Sequence, residues 1–220
     1  MRTRAKLALA FVLLLVAAVP AFAATTPTGK SADEIRAYYD SGDWNRAVKK
    51  QATKAKAYLV KRTHGKRAAR KPALVLDIDE TSLDNYPCLN QSGGIPYSAV
   101  PYAVCVVAYD APAIKPVRSL FRLAKDLKVK VFFITGRPEA IRAGTLQNLK
   151  AAGYKGRYEL ILQPAGYNDP STVPYKSGAR KQIEKRGFTI VANVGDQQSD
   201  LSGGYSERTY KLPNPIYFTQ

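Results

Sequence analysis

Asp77 and Asp79 stand two residues apart at the end of an apolar run, in "ALVLDIDETS" (Ala73–Ser82), with Glu80 and Thr81 directly behind them. Like charges this close repel one another, and burial strips their solvation, so the cluster calls for a balancing cation or cationic site. Other candidate site residues follow further along. They are Thr135, Gly136 and Arg137 in "FFITGR", Lys176 in "PYKSGARKQIE", and Asp196 and Asp200 in "NVGDQQSD". Aspartate oxygens gathered in one place form a hard-oxygen pocket suited to Mg²⁺. A lysine and a threonine hydroxyl beside that pocket would attract an anion, and the combination is the usual environment of a phosphoryl group. One aspartate can attack phosphorus. A second, two residues on and leaving the strand in another direction, can protonate the leaving alkoxide. Singly, each motif also has a structural reading: a chance or calcium-like fragment for D-x-D-x-T, a turn for T-G-R, a surface cation for Lys176, a helix cap for G-D-x-x-x-D.

Positioning these groups requires elements that end where they begin. "ALVLD" (73–77), "KVFFITG" (130–136), "YELILQ" (158–163) and "FTIVANVG" (188–195) are apolar runs of strand length, and "ERTYKL" is a shorter fifth. Helical spacing fills the intervals: "IKPVRSLFRLAKDL" with Pro116 near its first turn, "PEAIRAGTLQNLKAAG" stopped by Gly153, and "SGARKQIEKRG" stopped by Gly187. Strands alternating with helices predict a three-layer α/β/α fold with a parallel sheet. Ligands of such sheets bind beyond the carboxyl ends of the strands. The reactive residues fall just there, which places them in a crevice. Ahead of the first strand, Ser31-Ala-Asp-Glu34 has the form of a capping box. A second helix is predicted from about Asp43, with Trp44, Val48, Ala52, Ala55, Tyr58 and Leu59 on one face and His64-Gly65 at its end.

The four motifs, in this order, resemble those of the haloacid dehalogenase (HAD) superfamily of phosphatases, and within it subfamily IIIB: exported acid phosphatases of the class B type and their plant vegetative-storage relatives. The resemblance covers roughly residues 71–200, and the helical arm before them is similar too. It implies a HAD-like, Rossmann-like sheet and these roles. Asp77 is the nucleophile forming an aspartyl-phosphate, and a Mg²⁺ ligand. Asp79 protonates the leaving group and then deprotonates water, its backbone carbonyl binding the metal. Thr135, Gly136 and Lys176 hold the phosphate, Lys176 also easing repulsion among the carboxylates. Asp196 is a direct Mg²⁺ ligand, and Asp200 orients a metal-bound water or Lys176. Glu80 and Asp84 read as structural, and His64 as a solvated helix terminus.

The rest of the chain sets the context. Arg2, Arg4 and Lys6, the apolar run Leu7–Val19 and Ala21-Phe22-Ala23 have the pattern of a cleaved signal peptide over residues 1–23. The expected location is therefore secreted, extracellular or periplasmic, with no lipoprotein cysteine at the cleavage site. An arm at 24–70 and a phosphatase domain at 71–220 follow, with a cap insertion at about 83–112. In an oxidising compartment Cys88 and Cys105, the two cysteines of the chain, are expected to pair. Four tyrosines of the cap, Tyr86, Tyr97, Tyr102 and Tyr109, either line an open cleft that stacks a nucleobase or aryl group, or simply fill the loop. The chain has 34 basic and 17 acidic residues. Without the three cations of the leader, 31 against 17 leaves +14. Much of the excess lies in Lys49–Lys71, either a solvated helix face or a surface for anionic cell-surface polymers. No nucleic-acid reader motif accompanies it. The expected partners are small phosphate esters, aryl phosphates and nucleotides among them, with Mg²⁺ as cofactor. The rival from another class is a catalytically weak storage or polyanion-binding protein, against which an intact Asp77 argues.

Overall fold

A computed structural model describes residues 25–66 and 68–219. The leader expected at 1–23 lies outside them. Among the described residues no helix is long and apolar enough to cross a membrane.

The chain runs β1 (Thr25–Pro27), α1 (Ala32–Asp40), α2 (Asp43–Thr63), β2 (Pro72–Leu76), α3 (Tyr86–Gln91), α4 (Ala99–Ala108) and α5 (Lys115–Asp126). Then come β3 (Lys130–Pro138), a 3₁₀ turn (Glu139–Ile141), α6 (Arg142–Ala151), β4 (Glu159–Gln163), α7 (Val173–Lys185), β5 (Thr189–Gly195), α8 (Gln198–Leu201), β6 (Thr209–Lys211) and β7 (Tyr217–Thr219). Five strands form one parallel sheet in the order β4-β3-β2-β5-β6. The chain leaves β2 towards β4 on one side and returns to β5 on the other. The strand order therefore reverses at β2, and a crevice opens beyond its carboxyl end.

Period-2 alternation decides what each face of the sheet buries. Leu74, Leu76, Val131 and Phe133 point into a core shared with Val48, Ala55 and Leu59 of α2 and Val117, Leu120 and Phe121 of α5. Ala73, Val75, Phe132, Ile134 and Ile190 point the other way, against Ile183 of α7. The basic helix α2 is thus anchored by one apolar stripe, its lysines turned outward. At α1 the capping box is formed: Ser31 Oγ accepts the Glu34 N–H at 3.2 Å and Glu34 Oε2 accepts the Ser31 N–H at 2.7 Å.

Two features depart from expectation. The segment 83–112 holds two helices, α3 and α4, joined by the Cys88–Cys105 disulfide. They enclose a separate apolar cluster of Leu89, Ile95, Tyr102, Cys105 and Val106, to which Ile35 of α1 and Ile216 and Tyr217 near the C-terminus contribute. Secondly, β1 and β7 pair as a two-stranded antiparallel sheet, Thr25 opposite Thr219. Three-residue strands carry no periodicity that a local pattern could reveal.

Candidate functional site

Asp77 follows directly on β2, and its main chain is fixed twice. Its N–H donates to Val194 O of β5 at 3.0 Å, and its carbonyl accepts the Ser82 hydroxyl at 2.6 Å. The chain then turns sharply, Glu80 taking a left-handed φ of 50° and the N–H groups of Ser82 and Leu83 both donating to Ile78 O at 2.8 Å. This turn sends the Asp77 and Asp79 side chains in different directions.

Asp77 faces α7 and the end of β5. Lys176, in the first turn of α7, donates to Asp77 Oδ1 at 2.9 Å and to Asp200 Oδ1 at 2.5 Å. One carboxylate oxygen from each of Asp77, Asp196 and Asp200 lies within 4.8 Å of the others, and all three residues are buried. Asp200 is held by the Gln197 N–H at 2.8 Å. It presses so close to Gly195 that any Cβ at that position would overlap it. Only glycine lets the end of β5 and the start of α8 approach this closely. Asp196 accepts from Thr81 Oγ1 at 2.8 Å, Gln197 Nε2 at 2.6 Å and Asn214 Nδ2 at 2.9 Å.

Lys176 is shared by Asp77 and Asp200, and Lys211 reaches only the main-chain oxygen of Asp196, so the three carboxylates are short of positive charge. Burial first, then the neighbouring Asp200, pushes the Asp77 carboxyl well above its usual range. The same two causes move Asp196 up to about 6. Burial opposes the charge of Lys176 as well, yet Asp200 and Asp77 outweigh it and hold the ammonium protonated above its ordinary value. A hard divalent cation would answer this imbalance, and the carboxylate oxygens of Asp77, Asp196 and Asp200 are close enough together to hold one.

Asp79 faces the opposite wall. Arg137, at the end of β3, donates to both of its oxygens at 2.7–3.2 Å, and Asn85 Nδ2 donates at 2.9 Å. The Arg137 side chain is 1% exposed and that of Asp79 11%. Burial tends to raise the Asp79 carboxyl, but the guanidinium and its hydrogen bonds prevail and lower it. Arg137 lies just after the strand predicted over 130–136, and the sequence assigns it no partner. The T-G-R motif was the signal, but a partner 58 residues away leaves no local trace.

Asp77, Asp79, Gly136, Lys176, Asp196 and Asp200 all line one crevice of about 50 Å³. Thr135 does not. It is fully buried beneath Gly136, its hydroxyl accepting the Arg137 N–H at 3.1 Å. Glu80 is buried against Tyr217 and the Asn85 N–H, and Asp84 braces the Tyr86 N–H, as their structural readings expect. Of the four cap tyrosines Tyr102 alone lines the crevice, joined by Tyr217 from β7. Tyr86 instead stacks on Tyr39 at 3.6 Å, and Tyr109 lies over Gly144. Tyr97 packs behind Tyr102 and Tyr217. The cleft is therefore narrow, because the cap folds as helices over it. Thr25 of β1 and Thr219 of β7 complete the wall, so the small two-stranded sheet contributes to the site.

The family model described as HAD superfamily, subfamily IIIB (acid phosphatase) matches residues 6–220. The chain belongs to this subfamily. Similar members include the stem 28 kDa glycoprotein of Glycine max, 37% identical over 155 residues, which are 68% of this chain and 61% of that one. Acid phosphatase 1 of Solanum lycopersicum is 37% identical over 147 residues, 66% of this chain and 58% of that one. Vegetative storage protein 2 of Arabidopsis thaliana is 33% identical over 147 residues, 66% and 55% of the two chains. The chain thus spans about three fifths of the length of these curated relatives. Among solved structures, the class C acid phosphatase from Bacillus anthracis superimposes with a TM-score of 0.67 at 22% identity, covering 85% of this chain and 84% of that one, which establishes a common fold.

Proposed function

We propose that this chain is a phosphomonoesterase: a secreted, Mg²⁺-dependent acid phosphatase that hydrolyses small phosphate monoesters through an aspartyl-phosphate. The observation that supports this reading most is the juxtaposition of Asp77, clamped in the main chain beyond β2, with Lys176 at 2.9 Å and the carboxylates of Asp196 and Asp200. A nucleophile, an anion-holding ammonium and a hard-cation ligand set meet at one strand end. The likeness to the tomato acid phosphatase, named as such, points the same way.

In this reading Lys176 keeps Asp77 Oδ1 in place while the other oxygen attacks phosphorus and the P–O bond to the leaving group breaks. The departing alkoxide takes a proton from Asp79. Water then attacks the phosphorus. Its proton passes to Asp79, the bond to Asp77 breaks, and inorganic phosphate leaves. Held ionised by Arg137, Asp79 is prepared for the second half, and it must gain a proton before the first, which favours acidic conditions. The Gly136 main chain and Lys176 border the space for the transferred group. A divalent cation bound by Asp77 and Asp196 would offset the negative charge that the aspartates and phosphoryl oxygens bring together. Small esters, aryl phosphates or nucleotides with the base outside the narrow crevice, are the substrate class.

The storage proteins among the relatives raise a rival, a fold of this kind with little turnover. The intact Asp77 favours the enzyme. The test is phosphate release from an aryl phosphate and from nucleoside monophosphates, with and without a chelator. Turnover should fall to background on metal removal and in Asp77→Asn. Undiminished turnover in either case refutes the reading.

A further inference from the structure

Away from the crevice, α1, α2 and the segment after β6 border a second, open hollow of about 910 Å³. Its walls carry Lys30, Lys50 and Lys211 against one carboxylate, Glu34, which is engaged by the Ser31 N–H. Among the described residues no carboxylate lies within ion-pair distance of these three lysines. The Lys211 ammonium is pinned to the carbonyl oxygens of Asp196 and Leu212, a fixed charge in place of a waving one. Tyr38 and Gln51 add hydrogen-bonding groups, and Leu212, Pro213 and Pro215 an apolar floor.

The dimensions and the chemistry together select an occupant. A hollow this large is of organic-ligand size, beyond what a single inorganic ion fills. Three cations spread round it match several negative charges along one molecule. Amide and phenol groups beside proline and leucine faces suit a ring bearing hydroxyls at its edge and C–H groups on its face. A nucleic-acid strand would need a series of stacking platforms, and among the described residues Tyr38 is the one aromatic ring in the wall. We infer that this hollow is a binding site for a short acidic oligosaccharide, a uronate-type chain whose carboxylates meet Lys30, Lys50 and Lys211. The excess of 34 basic over 17 acidic residues attracts such a chain from a distance. None of its lining residues lines the crevice, and although Lys211 and Asn214 reach back to Asp196, Lys30 and Lys50 make no contact with the crevice residues, so the test acts on these two.

The protein carries its own reporter. Trp44 is its one tryptophan, and its indole N–H donates to the Pro213 carbonyl behind the floor at 3.1 Å. The experiment titrates tetragalacturonate into the purified protein at low salt, following Trp44 emission and, in parallel, uptake by equilibrium dialysis. The comparison probes are neutral maltotetraose and a short thymidine oligonucleotide. Saturable uptake of the acidic tetramer is expected, weakened about tenfold in Lys30→Gln/Lys50→Gln, from the loss of two solvent-facing charge contacts. That variant should keep wild-type melting and wild-type turnover of an aryl phosphate. Asp77→Asn should bind as wild type does, which separates this inference from the proposed activity. No uptake in dialysis, equal binding of the neutral tetramer, unaltered binding by the double variant, or preference for the oligonucleotide would each overturn it.

Discussion

Replacing Arg137 by Met strips the buried Asp79 carboxylate of its counter-ion and leaves it the Asn85 amide alone. Breaking a buried pair from one side costs about 3–5 kcal/mol. The structure also sets an upper bound, because the stranded carboxylate can escape by taking up a proton. Bringing a carboxyl of ordinary pKa, about 3.9, to its neutral form at pH 7 costs about 4 kcal/mol. A loss of about 3 kcal/mol is therefore expected at pH 7. Arg137→Met/Asp79→Asn removes both charges and should lose less than the single variant, about 1 kcal/mol, since no ion is left buried. The pH dependence has a definite sign. Arg137 lowers the folded-state pKa of Asp79, so the pair's contribution is present above the carboxyl's unfolded value and fades as pH falls through the lowered one. The gap between wild type and Arg137→Met should accordingly narrow towards pH 3. Urea unfolding followed by circular dichroism at pH 7 and at acidic pH measures all of this. A single-variant loss below 1 kcal/mol, or a double variant no better than the single, would refute the reasoning.

Three further outcomes are expected. Millimolar Mg²⁺ should raise the melting temperature, by the equivalent of about 2.7 kcal/mol at a hundred times the dissociation constant, and Asp196→Asn should abolish the response in a thermal scan. Cys88→Ser/Cys105→Ser should lose about 3 kcal/mol in urea unfolding, from reopening a loop with a sequence separation of 17. Glu159 is held at about 2, first by its hydrogen bonds from Arg186 and then, against the opposing effect of burial, by Lys130. Its side chain is 35% exposed, so after solvent screening Glu159→Gln should cost no more than about 1 kcal/mol. Because the folded pKa is lowered, that cost should be complete above pH 4.5 and gone near pH 2, as denaturant titrations across that range would show.

The parts of this molecule legible in its sequence are those held by local rules. The sheet could be read because alternation at Leu74, Val75 and Leu76 sorts side chains to two cores, and α1 because Ser31 and Glu34 cap it reciprocally. The cap was not read as helical. Its helix α4, "AVPYAVCVVA", is apolar on every side and contains Pro101, so no 3.6-residue stripe stands out. The pairing of β1 with β7 was out of reach, since Thr25 and Thr219 meet across 194 residues with no mark on either. Within the site, the aspartates were found through motif spacing, whereas Asn214, which holds Asp196 from the C-terminal loop, follows no spacing at all.

The acidic mouth of a strongly basic chain is resolved by how few of its cations take part. Among the described residues Lys176 and Arg137 are the basic residues lining the crevice, and each is tied to an opposite wall, Lys176 to Asp77 and Asp200, Arg137 to Asp79. This division separates the two aspartates of one short motif electrically. Asp79 has a full counter-charge and stays ionised, while Asp77 shares a single ammonium with Asp200 beside Asp196 and is pushed up. A second ammonium aimed at the Asp77 carboxylate would satisfy the folded state better and would leave less for a metal or a phosphate to do there. The incomplete neutralisation of Asp77, Asp196 and Asp200 is thus the physical condition that would favour a cation there.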